Sequence, residues 1–152
     1  MTHQSEQDLH TMVNILQKID LFKGLNEEEN KEVIKKINLE YYPENHLLFS
    51  EGEFGNKMYI IKTGIVRIFH QGDGPSFDKE IAMLGDNDFF GEMALIGDAI
   101  RNATAKVVEA IQVFVLSKED LIKLVSENPS IAAKISTEFL DRFKSNMRGE
   151  NS

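Results

Sequence analysis

Glycine, a carboxylate and an arginine gather in one short stretch, Phe89 to Val107, which reads Phe-Phe-Gly-Glu-Met-Ala-Leu-Ile-Gly-Asp-Ala-Ile-Arg-Asn-Ala-Thr-Ala-Lys-Val. A strand ending in two phenylalanines breaks at Gly91, a short helical segment is expected over Glu92 to Ile96, Gly97-Asp98 turns the chain, and Arg101 precedes a new strand. Glycine lets a backbone come close to a ligand, and a helix start offers free N–H groups to an anion. An arginine returning to the same place adds a fork of donors suited to phosphate oxygens. A carboxylate beside it cannot bind phosphate, but it can accept a hydrogen bond from a sugar hydroxyl. An arginine–glutamate pair is also often purely structural, so the residue types alone leave both readings open.

Other chemistries find less support. The four histidines, His3, His10, His46 and His70, form no His-x-His or His-x-x-x-His pattern, and there is no cysteine to supply a thiolate or a disulfide. No Ser/His/Asp or Cys/His set is visible, so no catalytic and no metal-ligating residue is expected. Gly72-Asp73-Gly74-Pro75 carries too few oxygen ligands for a calcium loop and reads as a hairpin tip. With 17 basic and 25 acidic residues the net charge is −8, the wrong sign for a nucleic-acid binder. That field offers no general attraction to anions either, so an anion must be held by a local site. No apolar run approaches the roughly 18 residues of a membrane helix, and the polar start from Met1 to Gln7 is no secretory signal. A cytoplasmic protein without a membrane or nucleic-acid partner is expected.

The elements that must position the stretch run helices, strands, helices. Leu9, Met12, Val13 and Leu16 recur at helical spacing and predict a helix over 8–19. Asn26 followed by Glu27, Glu28 and Glu29 is a helix start, with acids at the positive end of the dipole, and predicts a second helix over 26–38. From Leu39 to Leu116 the pattern changes to short apolar runs, His46–Ser50, Lys57–Thr63, Ile65–Gln71, Phe77–Leu84 and Ile111–Leu116, separated by turn residues that include Thr63-Gly64. Ser117 with Asp120 starts a further helix, and Asn128-Pro129 starts a last one that ends near Met147-Arg148-Gly149. At 152 residues one domain is expected: 1–38 N-terminal helices, 39–116 strands, 117–148 C-terminal helices.

On these residues the chain resembles the cyclic-nucleotide-binding family, which includes catabolite activator protein and the regulatory subunits of cAMP-dependent protein kinase. The resemblance runs from about Leu21 to about Phe143, and its most specific part is Phe90-Gly91-Glu92-Met93-Ala94-Leu95-Ile96 with Arg101-Asn102-Ala103-Thr104. Supporting matches are Phe49-Ser50-Glu51-Gly52, Met58-Tyr59-Ile60-Ile61, Gly64-Ile65-Val66-Arg67-Ile68 and Leu84-Gly85. The resemblance implies an α+β fold, an antiparallel β-roll (a jelly-roll-like double-stranded β-helix) flanked by N-terminal helices and two C-terminal helices. It implies a phosphate-binding cassette over 89–107, with ligand residues Gly91, Glu92, Met93, Ala94, Arg101, Asn102 and Ala103 and a ligand of cAMP or cGMP rather than a cofactor. Arg101 and the backbone N–H groups of Ala94 and Ala103 would meet the phosphate, and Glu92 the ribose 2′-hydroxyl.

The resemblance further implies that the base lies on apolar strand residues, closed over by a side chain of the last helix, with Phe139, Leu140 and Phe143 the candidates. The last two helices would follow the ligand, with Leu95 facing Leu121 or Leu124. Output would reach an effector protein, or a second copy through the last helix. Many bacterial relatives append a helix-turn-helix domain; only Gly149 to Ser152 follow the last helix here, so none is expected. The alternative is a degenerate roll that keeps the pattern and has lost the ligand. Two turn glycines common in the family are replaced by Asn45 and Asn87, which tolerate left-handed backbone. After the arginine, cAMP binders commonly carry alanine and cGMP binders threonine; Asn102 leaves the base open.

Overall fold

Asn26 opens the better-defined of the two N-terminal helices through a reciprocal capping box. Its side-chain oxygen accepts the Glu29 N–H at 2.8 Å, and the Glu29 carboxylate accepts the Asn26 N–H at 2.9 Å. The computed structural model describes residues 6–96 and 99–136. The chain divides into two compact units, one drawn from 1–36 and 119–152 and one spanning Ile37–Lys118.

In the helical unit, α1 spans Glu6–Leu16 and α2 spans Glu27–Ile34. Both stop short of the expected 8–19 and 26–38: the chain after Leu16 goes into turns that bury Ile19, Leu21, Phe22 and Leu25, and strand pairing begins at Asn38. α3 spans Lys118–Glu127, and a fourth helix, α4, starts at Pro129 and is described to residue 136. Proline suits that position because its missing N–H would be unpaired there anyway. Glu29 ties α2 to α4, accepting from Ser130 Oγ at 2.9 Å and from Lys134 Nζ at 2.6 Å. The Lys134 bond foremost, then the Asn26 N–H and more weakly Ser130, lower its carboxyl from 4.5 to about 2 against the opposing effect of burial. Among the described residues no helix is long and apolar enough to cross a membrane.

The second unit is an antiparallel β-roll. Two 14-residue strands, β4 (Lys57–His70) and β8 (Thr104–Ser117), pair along their whole length, from Lys57 opposite Ser117 to Phe69 opposite Thr104. β1 (Asn38–Tyr42) and β2 (Leu47–Phe49) pair with β8, while β5 (Lys79–Leu84) and β6 (Phe89–Phe90) pair with β4. A separate ribbon joins β3 (Phe54–Gly55) to β7 (Ala99–Ile100). Tyr59, Ile61, Val66, Phe90, Val107 and Val113 form the centre of the core.

The expected break at Thr63-Gly64 does not occur. The strand continues through register shifts between Ile61 and Val66, and Gly64, at φ +110°, lets it bend where a Cβ would lie 2.5 Å from the Ala110 carbonyl. Asn45 and Asn87 do adopt left-handed backbone, at φ 73° and 71°.

Candidate functional site

β6 hangs from β4 by pairing Phe90 with Tyr59 and Phe89 with Ile60, and this delivers Gly91 to one end of the roll. Gly91 is left-handed, at φ 82°, and starts a short 3₁₀ turn, Glu92–Leu95, whose Ala94 and Leu95 are buried. The expected helical segment to Ile96 is therefore one residue shorter and more tightly wound. Gly97-Asp98 and residues 137–152, with Phe139, Leu140 and Phe143, lie outside the described residues.

Arg101 returns to the same place directly after β7. The turn after β2 grips its main chain from both sides: Arg101 N–H donates to the Glu53 carbonyl at 2.7 Å, and Gly52 N–H donates to the Arg101 carbonyl at 2.8 Å. The side chain is only 8% exposed. Nη2 donates to the Lys57 carbonyl at 2.8 Å, the guanidinium carbon lies 3.9 Å from the centre of the Phe49 ring, and among the described residues the buried Nε has no hydrogen-bond partner. Two glycines make room for it. A Cβ on Gly55 would lie 2.5 Å from Arg101 Nε, and one on Gly91 would lie 2.8 Å from Nη1. Burial lowers the Arg101 pKa from its ordinary value, opposed by Tyr59 and Glu53. An arginine stays protonated through such a shift.

All seven residues singled out in the sequence line one cavity of about 280 Å³: Gly91, Glu92, Met93, Ala94, Arg101, Asn102 and Ala103. That is near the lower end of the roughly 300–1,000 Å³ usual for small-molecule sites. Phe49, Ile68, Phe90 and Ile100 complete the wall. Glu92 is half-buried, and among the described residues it forms no ion pair with Arg101. The Ala94 N–H, which the resemblance assigns to phosphate, donates here to the Gly91 carbonyl at 3.1 Å. A larger cavity, about 620 Å³, lies at the starts of α1 and α2, but its cation, Lys31, is already tied to Glu27 and Glu28 at 3.4 Å. It offers no buried donor fork.

The sequence model of the cyclic nucleotide-binding domain matches residues 39–128. The chain belongs to the cyclic-nucleotide-binding domain family. Over 118 residues it is 31% identical to the cGMP-dependent protein kinase of Caenorhabditis briggsae, covering 76% of this chain and 16% of the kinase. It is 32% identical to the cyclic AMP receptor protein of Thermus thermophilus, covering 74% of this chain and 51% of the receptor. The regulatory domain of Toxoplasma gondii PKA, crystallised with cAMP, superposes with a TM-score of 0.68 at 26% identity, over 80% of this chain and 46% of that one. The chain thus spans about half or less of these longer proteins. The cyclic-nucleotide-binding domain is a regulatory, ligand-binding module in which catalysis, where a relative has it, belongs to a separate part of the protein.

Sequence reasoning missed Phe49 as a neighbour of Arg101, together with Gly55 and the Lys57 carbonyl. Gly55 carried a signal, since a lone glycine in a strand marks close backbone approach. The Lys57 carbonyl carried none.

Proposed function

We propose that this chain binds a 3′,5′-cyclic purine nucleotide, cAMP or cGMP, in the cavity around Arg101, and acts as a regulatory sensor without chemistry of its own. The observation that carries this reading is the state of Arg101: buried, charged, with Nε unpartnered, and not paired with the Glu92 carboxylate that lines the same cavity. A purely structural arginine–glutamate pair would have its members joined. In the proposed complex the guanidinium takes the exocyclic phosphate oxygens and Glu92 accepts from the ribose 2′-hydroxyl. The small Ala94 and Ala103 leave the backbone accessible to the phosphate. For the Ala94 N–H to contribute, it must exchange the Gly91 carbonyl for a phosphate oxygen, so ligand entry rearranges the 3₁₀ turn. The signal then leaves through movement of the C-terminal helices toward an effector protein or a second copy.

Calorimetric titration with cAMP and with cGMP, beside thermal melting, tests this. A ligand that binds only the folded state adds about 2.7 kcal/mol at a hundredfold excess over its Kd. For a chain of this size that is a rise of roughly 5–10 °C. No heat and no shift with either nucleotide at millimolar concentration would mean a degenerate roll.

A further inference from the structure

A buried arginine is ordinarily matched by a carboxylate, because an uncompensated charge away from water is costly. Arg101 is matched differently. Among the described residues no carboxylate lies within ion-pair distance of its guanidinium, and its one side-chain hydrogen bond is to the Lys57 carbonyl. What lies against the charge is an aromatic face. The guanidinium carbon is 3.9 Å from the Phe49 centroid and 5.9 Å from that of Tyr59, both within the range where a ring attracts a cation.

Phe49 is itself held in place. Its ring centre lies 6.1 Å from that of Phe90 and 6.0 Å from that of Tyr59, and those two stack on each other at 5.0 Å with 13° between their planes. Its main chain ends β2, paired opposite Ala105. The next four residues form the turn that grips the Arg101 main chain, a turn closed by Ser50 N–H donating to the Glu53 carboxylate at 2.8 Å. One segment therefore fixes Arg101 twice, the ring under its side chain and the turn around its backbone.

We propose that Phe49 is a positioning residue for the anion: its face supports the Arg101 charge in place of a carboxylate and leaves the guanidinium N–H groups available. The distinction is chemical. A carboxylate would take up two of the five donors in a bidentate pair, and an incoming phosphate would have to displace it. A ring face attracts the charge without accepting those N–H bonds. It also fixes the guanidinium plane, so the fork meets the phosphate in a set orientation. Phe49 thus acts through Arg101 and donates nothing to the ligand.

This inference rests on the nucleotide-binding reading, and the test separates the two. The full chain is made with one, two and three fluorines on the ring of Phe49, which draw electron density from the face at nearly constant size, and is titrated with cAMP and cGMP. Whichever nucleotide the unmodified chain binds should bind more weakly with each fluorine, to a total loss on the order of 3- to 30-fold, while the free chain stays folded and its melting temperature falls by only a few degrees, because the ring also supports the charge before ligand arrives. Phe49→Leu should lose at least as much; if it fails to fold, the fluorinated series decides alone. Equal affinity across the series would make Phe49 only a wall of the cavity and overturn this proposal while leaving the nucleotide reading intact. No binding by the unmodified chain would overturn both.

Discussion

Substituting alanine at Gly91 and at Gly52 gives a matched pair of perturbations. Both glycines are left-handed, at φ 82° and 90°, so a Cβ strains either position by about 1–2 kcal/mol. For this size of chain that is a fall of roughly 2–8 °C in Tm. Their surroundings differ. A Cβ on Gly52 has nothing within 4 Å, whereas one on Gly91 lies 2.8 Å from Arg101 Nη1 and 3.0 Å from the Lys57 carbonyl. That carbonyl is the acceptor that anchors Nη2 at 2.8 Å. A methyl group there separates the guanidinium from its anchor. The backbone carbonyl cannot retreat, so the arginine must. A charge-assisted hydrogen bond is worth about 1.5–3 kcal/mol, so Gly91→Ala should weaken nucleotide binding on the order of 10- to 100-fold. Gly52→Ala should lose comparable stability and keep affinity within about threefold. Melting and calorimetric titration of both variants read the two effects separately. Wild-type affinity in Gly91→Ala would show that the Arg101 fork does not hold the ligand, and an equal loss in Gly52→Ala would trace the effect to strain.

Three further outcomes are expected. The unmodified chain should bind 2′-deoxy-cAMP more weakly than cAMP, and Glu92→Ala should barely distinguish them; an unchanged ratio would remove Glu92 from the ribose. The Glu29 carboxyl is held at about 2 against an ordinary 4.5, so its contribution is complete above about pH 4.5 and is lost as pH falls toward 2. Glu29→Gln should therefore lower stability at neutral pH and flatten that acid limb, as urea melts across pH 2–7 would show. At φ 71°, Asn87→Gly should leave stability nearly unchanged while Asn87→Ala lowers it by about 1 kcal/mol, and equal denaturant midpoints would contradict the left-handed backbone there.

The site was legible where it is local. Gly91 to Ala94 and Arg101 to Ala103 lie in one continuous stretch, and the short turn and ribbon between them bring both ends to one cavity. Phe49 and the Lys57 carbonyl reach Arg101 only through strand pairing, across 44 residues in the case of Lys57, and no local pattern encodes that. The long strands were under-read for a related reason. β8 was visible only from Ile111 because Lys106, Glu109 and Ala110 interrupt the apolar run, yet pairing with β4 carries the strand back to Thr104. Gly64 looks like a turn in sequence because it needs positive φ. In the sheet that freedom allows close approach to Ala110 and a bend without a break. β1 was hidden because Lys35, Lys36 and Ile37 extend the helical pattern of α2, and only pairing of Asn38 opposite Val115 shows where the strand begins.

A chain of net charge −8 gains no help from its overall field in attracting an anion, and at physiological salt that field fades within roughly 8 Å. Affinity must then come from a cation that solvent screens poorly. A buried guanidinium meets that condition, provided the fold tolerates it before any anion arrives. Three observations show how it is tolerated: the Phe49 face, the Lys57 carbonyl, and the two glycines that leave room for the fork. The Glu92 carboxylate would be the easier solution, since it lines the same cavity. Among the described residues it forms no ion pair with Arg101: Glu92 sits in the 3₁₀ turn that follows β6, while Arg101 follows β7 and has its main chain clamped by the turn after β2. Were they to pair, the two groups proposed to meet phosphate and sugar would neutralise each other. Held apart, they are consistent with the proposed ligand, which carries an anion and a hydroxyl on one ring system.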